Sequence, residues 1–171
     1  MNGQKFLKFS AGLADKEAKD FKDFVNKIKI SKVVLVHGVF DLLHVGHVRH
    51  LNESKSFGEF LVVSITADIF VNKGPNRPVY NENIRAEIIS NIKSVDFVII
   101  NNSENCSAIL SFLKPDFFVK GIDYKNMRND PKTNLYSEIL TAKELGVEIR
   151  FTNSAKFSTT ETIDKIKSQW I

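Results

Sequence analysis

Short apolar runs alternate with helical stretches from Lys32 to the end of the chain. Val33-Val34-Leu35-Val36 is apolar at every position, as a strand buried on both faces must be. Phe60 to Thr66, Val95 to Ile100, Phe117 to Val119 and Val147 to Phe151 also read as strands. Between them the spacing predicts helices over 45–57, from an Asn81 cap to Lys93, over 104–113 and over 135–145, with a last one over 159–169. Gly58 and Gly146 sit where two of these end, and Pro115 closes another. Strand and helix in strict alternation imply an α/β fold, a doubly wound five-stranded parallel sheet with helices on both faces. Ahead of it, Asp15 can cap a helix whose positions Ala18, Phe21, Val25 and Ile28 share one face, widened by Phe24. Residues 1–31 therefore read as an N-terminal helical extension, packed against the body or a second subunit, and 32–171 as the main domain.

In such sheets ligands bind beyond the carboxyl ends of the strands, where the strand order switches direction. Loops 37–47, 67–80, 120–134 and 152–160 lie at that end, and the unusual residues fall in them. All four histidines stand between positions 37 and 50. In His37-Gly38-Val39-Phe40-Asp41-Leu42-Leu43-His44-Val45-Gly46-His47, Gly38 allows a tight strand exit and close approach of a phosphate to backbone amides. His47 falls in the first helical turn, where free N–H groups and the helix dipole favour an anion, and His44 stands just ahead of it. Gly46 removes a side chain that would block access. A metal is the rival use, but His44, His47 and His50 drift off one helix face and no cysteine lies near. A second helix start, Ser158-Thr159-Thr160-Glu161, has the form of a capping box with extra hydroxyls.

Composition adds limits. The 171 residues are 43% hydrophobic and 26% charged, sufficient for one domain with a real core. The net charge of +4 favours an anionic ligand but does not by itself choose between a nucleotide, a nucleic acid and a membrane surface; the basic residues are scattered, and neither a nucleic-acid nor a membrane partner is expected. Cys106 is the only cysteine, which excludes an internal disulfide and a multi-cysteine metal site. The chain shows no apolar run of roughly 18 residues and no signal-peptide block at its start, so a cytoplasmic protein is expected.

The stretch Gly38 to His47 resembles the G-x-F-D-x-x-H-x-G-H signature of the cytidylyltransferase-like superfamily, and Ser158-Thr159-Thr160 its second motif. The chain is most similar to the adenylyltransferase domain of the bifunctional ADP-heptose synthase family, over roughly residues 33–167. Lys73-Gly74, Arg77-Pro78-Val79, Arg85, Val95-Asp96, Lys114-Pro115-Asp116 and Val119-Lys120-Gly121-Ile122-Asp123-Tyr124 match that family in register.

The resemblance implies a Rossmann-like fold and a set of roles. His44 and His47 would stabilise charge on the α-phosphate, and Lys73 would sit over the reacting phosphates. Gly38, the backbone of Val39 and Phe40, Asp41 and Gly46 would frame the nucleotide. Lys120, Gly121, Asp123 and Tyr124 would lie beside the nucleoside, Ser158, Thr159 and Thr160 would hold the distal phosphates, and Arg85 would serve the substrate phosphate. Magnesium would arrive with the triphosphate, and no protein metal site is implied. Ile122 replaces a usual glycine, Ile163 stands where the coenzyme-making branches carry arginine, and 154–157 lacks the usual acidic-glycine turn. His37 and His50 match no functional position, which makes His50→Ala an expected silent control.

The implied reaction is transfer of a nucleoside monophosphate from ATP or CTP to a sugar phosphate resembling heptose 1-phosphate, with release of pyrophosphate. The alternatives are a CTP-dependent enzyme for a polyol or amino-alcohol phosphate and a nucleotide-binding module without turnover. A class I aminoacyl-tRNA synthetase fragment shares the His-x-Gly-His logic but would need a longer chain. A homodimer and a functional link to a sugar kinase are also expected from the resemblance.

Overall fold

The computed structural model describes residues 6–9, 15–125, 130–131, 133–153 and 159–170. Its strands are β1 (Phe6–Phe9), β2 (Val33–Gly38), β3 (Phe60–Thr66), β4 (Phe97–Asn101), β5 (Phe117–Gly121) and β6 (Glu148–Thr152). They form one parallel sheet in the order β1-β4-β3-β2-β5-β6. The helices are α1 (Asp15–Ile28), α2 (Val45–Lys55), α3 (Glu82–Ser90), α4 (Ser107–Leu113), α5 (Asn134–Glu144) and α6 (Thr159–Trp170).

Alternation along each strand divides the core into two layers. Val33 and Leu35 join Phe24, Ile109, Leu110 and Ala142 on one face of the sheet. Val34 and Val36 join Leu51, Ala86 and Ile89 on the other. Helices therefore cover both faces, which is why the central strands carry no polar alternation. Gly58, beyond the end of α2, is required by close approach: a Cβ there would stand 2.6 Å from the Lys32 carbonyl oxygen and 2.7 Å from a Val34 methyl.

The sheet has six strands where the pattern predicts five. Phe6-Leu7-Lys8-Phe9 is too short for its periodicity to separate a strand from a turn of helix. It becomes a strand because the outer edge of β4 offers free backbone groups, pairing Phe6 with Val98 and Phe9 with Asn101. α1 then packs on this chain's own sheet. Phe24 stacks on Phe97 at 4.1 Å and tilts against Phe60 at 5.8 Å, while Val25 and Ile28 are buried. Burying Phe24 contributes about 2 kcal/mol. The side chains of Ala18 and Phe21 lie outside the described residues. Among the described residues, no helix is long and apolar enough to cross a membrane.

From β2 the chain winds outward through β3 to β4, then crosses back to β5 on the opposite side of β2. The strand order thus reverses between β2 and β5, and the loops after these two strands part to leave a crevice.

Candidate active site

A cavity of about 300 Å³ occupies that crevice. The β2 loop contributes Gly38, Val39 and Phe40, and α2 contributes Gly46 and His47 beside its cap His44. The β5 loop contributes Lys120, Gly121, Asp123 and Tyr124, the start of α6 contributes Thr159 and Thr160, and Lys73 closes the rim. Segments remote in sequence are thereby brought onto one small volume. Ser158 lies outside the described residues.

His44 is the N-cap of α2, and its Nδ1 accepts from the His47 backbone N–H at 3.3 Å. The His44 N–H donates in return to His47 Nδ1 at 3.4 Å. This reciprocal pair is a capping box built from two imidazoles. Both Nδ1 atoms act as acceptors, so the proton of each neutral ring stands on Nε2. The rings stack at 3.8 Å with 13° between their planes. Burial, followed by the nearby charges of His44, His50 and Lys73, lowers the His47 pKa to about 3, and burial likewise lowers that of His44. Without an anion both rings are neutral near pH 7, yet each carries an N–H donor at a helix start already favourable to phosphate.

Phe40 holds this arrangement from below. Its backbone has a φ of 51°, a left-handed conformation that costs a bulky residue about 1–2 kcal/mol. Burial of its ring in the core offsets the cost, and the ring presents its edge to His47 at 5.2 Å. Opposite, Thr159 donates its hydroxyl to the Leu42 carbonyl at 3.3 Å, tying the start of α6 to the β2 loop.

Two predicted site residues are not brought into the cavity. Asp41 is 2% exposed, and its carboxylate accepts from Arg77 Nε at 2.5 Å and from the Val79 and Tyr80 backbone N–H groups. It clamps the loop that carries Lys73. Arg85 is 1% exposed, and its guanidinium donates to the carbonyls of Val39, Thr66 and Tyr80 and to Asp68. With three carbonyls and the Asp68 carboxylate as its partners, it braces the loops after β2 and β3 and does not line the cavity in which a substrate-phosphate contact is expected. A sequence pattern records that an arginine is present, not which way its side chain runs. Lys73 lies in an exposed segment, but partial burial of its ammonium, followed by the nearness of Arg77, lowers its pKa.

His37, His50, Ile122 and Thr152 also line the cavity, without an assigned role in the sequence reading. His50 Nδ1 lies 2.7 Å from Thr152 Oγ1, joining α2 to the end of β6. The crowding of histidines between 37 and 50 was the available signal. No spacing rule could show that His50 faces Thr152. Behind the cavity, Glu138 on α5 pairs with Lys120 at 2.7 Å, a contact for which the sequence carried no signal.

Among the described residues no group of three or more His, Cys, Asp or Glu side chains could hold a metal ion. The donors instead suit an extended polyanion, and with paired neutral imidazoles facing threonine hydroxyls they define the class as nucleotidyltransferase. A family model described as cytidylyltransferase-like matches residues 35–168, and the chain belongs to that family.

The relatives agree with the resemblance read from the motifs. The chain is 38% identical over 143 residues to the bifunctional protein HldE of Campylobacter jejuni subsp. doylei, covering 82% of this chain and 29% of that protein. It is 40% identical over 139 residues to the HldE protein of Sulfurimonas denitrificans, covering 80% and 27%. The chain thus spans under a third of the length of these curated relatives. Among solved structures, the lipopolysaccharide core biosynthesis protein from Thermoplasma volcanium superposes with a TM-score of 0.60 at 30% identity, covering 74% of this chain and 99% of that one. Pantothenate synthetase from Thermus thermophilus, at 12% identity and a TM-score of 0.52, covers 76% of this chain and 58% of its own and shares the fold.

Proposed function

We propose that this nucleotidyltransferase moves AMP or CMP from the triphosphate to a sugar phosphate resembling heptose 1-phosphate. The observation that carries the reading is the convergence of His44, His47, Lys73, Thr159 and Thr160 on one cavity. The acceptor class rests on the likeness to the ADP-heptose synthase family and to the HldE proteins.

The chemistry needs no protein nucleophile. An oxygen of the acceptor phosphate attacks the α-phosphorus in line and forms the new P–O bond. The bond from that phosphorus to the bridging oxygen breaks, and pyrophosphate leaves with the electron pair. Negative charge gathers on the α-phosphate oxygens in the transition state. His44 and His47 meet it with Nε2–H donors fixed in place by the capping box, so no reorganisation is needed at the moment of transfer. Lys73 supplies positive charge from the rim, and Thr159 and Thr160 hold the far phosphates.

Magnesium fits as a partner of the triphosphate. Asp123 is the one carboxylate among the described lining residues, which suits an ion held chiefly by phosphates and water. When bound, it neutralises phosphate charge.

The test is pyrophosphate release from ATP and CTP, each offered with a panel of sugar 1-phosphates and polyol phosphates. Release that requires a sugar 1-phosphate supports the reading. Release with a polyol or amino-alcohol phosphate alone replaces the acceptor class, and release with no pair refutes the reading.

A further inference from the structure

Behind the cavity lies a cluster of buried titratable side chains that the transfer chemistry does not use. Lys120, at the end of β5, is 5% exposed, and Glu138 on α5 is 2% exposed. The Lys120 ammonium lies 2.7 Å from Glu138 Oε2 and 3.4 Å from the His37 carbonyl oxygen, and sits over the rings of Phe118 and Tyr124 at 4.9 and 5.6 Å. Glu138 Oε1 accepts from the Cys106 backbone N–H at 3.1 Å and lies 3.6 Å from His37 Nε2. His37 is anchored on its other side by Ser64 Oγ at 2.9 Å.

Lys120 and His37 both line the cavity, whereas Glu138 does not. Taking two charges out of water is costly, so a buried pair is a poor device for stability alone. This pair does something a hydrophobic pair would not: it keeps a full positive charge in one orientation at the wall where the strand order switches.

We propose that Glu138 is a positioning residue for nucleotide binding, acting through Lys120, whose ammonium it holds charged and aimed at the bound nucleotide. The proposal rests on the reading of this cavity as a nucleotide site. Burial alone would lower the Lys120 pKa, but the Glu138 carboxylate outweighs it and holds the group above the ordinary lysine range. The other groups facing the ammonium are Cys106, Tyr124, His37 and His50; burial raises the Cys106 thiol pKa and lowers those of His37 and His50, so these three bring no negative charge near pH 7.

Glu138→Gln keeps an oxygen for the Cys106 N–H but removes the counter-charge. Lys120 then loses its proton more readily as pH rises. The experiment is titration calorimetry with ATP and with CTP on wild type, E138Q, K120M and the double variant K120M/E138Q, between about pH 6.5 and 9. In E138Q the ratio of variant to wild-type Kd should grow with pH, reaching about tenfold or more at the alkaline end, as expected for loss of one charge-assisted hydrogen bond. In K120M the ratio should be flat with pH. The double variant should bind like K120M even though its melting temperature recovers. At saturating nucleotide, kcat should change less than KM. A double variant with wild-type affinity, or an E138Q ratio flat with pH, overturns the proposal, and the double variant decides the matter if E138Q does not fold. A wild-type chain that binds no nucleoside triphosphate overturns the nucleotide reading as well.

Discussion

His44 does two jobs with one ring, and the two can be separated. Its Nδ1 caps α2, while the ring lines the cavity with its proton on Nε2. His44→Ala removes both functions. Loss of the cap should cost about 1 kcal/mol, and for a chain of this size that lowers Tm by roughly 2–4 °C. Loss of one preorganised donor to the developing charge should lower kcat by roughly 10²–10³, or about 2.7–4 kcal/mol. His44→Asn is the informative variant. Asparagine is a strong N-cap whose side-chain oxygen can accept the same His47 N–H, but it reaches less far and supplies no N–H where Nε2 stood. Its Tm should stay near wild type while kcat falls as far as in the alanine variant. Thermal unfolding and pyrophosphate release, measured on both variants, provide the two readouts. Wild-type kcat in a folded His44→Asn protein would refute the phosphate role, and an equal Tm loss in both variants would refute the cap.

Three further outcomes follow. Arg85→Met should destabilise the chain by about 3 kcal/mol or more in denaturant titrations, because three carbonyls and the Asp68 carboxylate lose one shared, fully buried donor together; a change in acceptor KM without loss of stability would assign Arg85 to the substrate phosphate instead. His50→Ala, the expected silent control for kcat, leaves buried Thr152 without its 2.7 Å partner and should cost about 1–3 kcal/mol, read as a lowered Tm. Burial lowers the pKa of His37 to about 4, of His47 to about 3 and of His50 to about 4, so each takes up protons more readily when unfolded. Their contribution is intact above about pH 6.5 and is lost as pH falls below it toward the folded values, with Glu138 adding its own loss only below the ordinary carboxylate range. A Tm that is unchanged from neutral pH down to about pH 5 would contradict that linkage.

The site was legible where chemistry is written into contiguous residues. The stretch from Gly38 to His47 places its own glycines and imidazoles, because the strand end and helix start that orient them are the same few residues. Thr159 and Thr160 were legible for the same reason, standing at a helix N-terminus. Asp41 and Arg85 were assigned to ligands because they fall inside matching motifs. Only packing reveals that both are turned toward backbone groups of the loops after β2 and β3. Glu138 was invisible because nothing near it in sequence calls for a carboxylate, and its partners come from β2, β5 and the start of α4.

Hydrophobic periodicity alone determined the alternating elements, the burial of the central strands on both faces and the end of the sheet that would carry the ligand. These follow from local sterics and from the need to bury apolar runs, which each segment feels independently of the others. The sixth strand, the order that sets β2 beside β5, and the direction of every long charged side chain were decided by tertiary structure. A sheet edge needs a partner and a buried charge needs a counter-charge, and neither demand can be met until distant segments have come together.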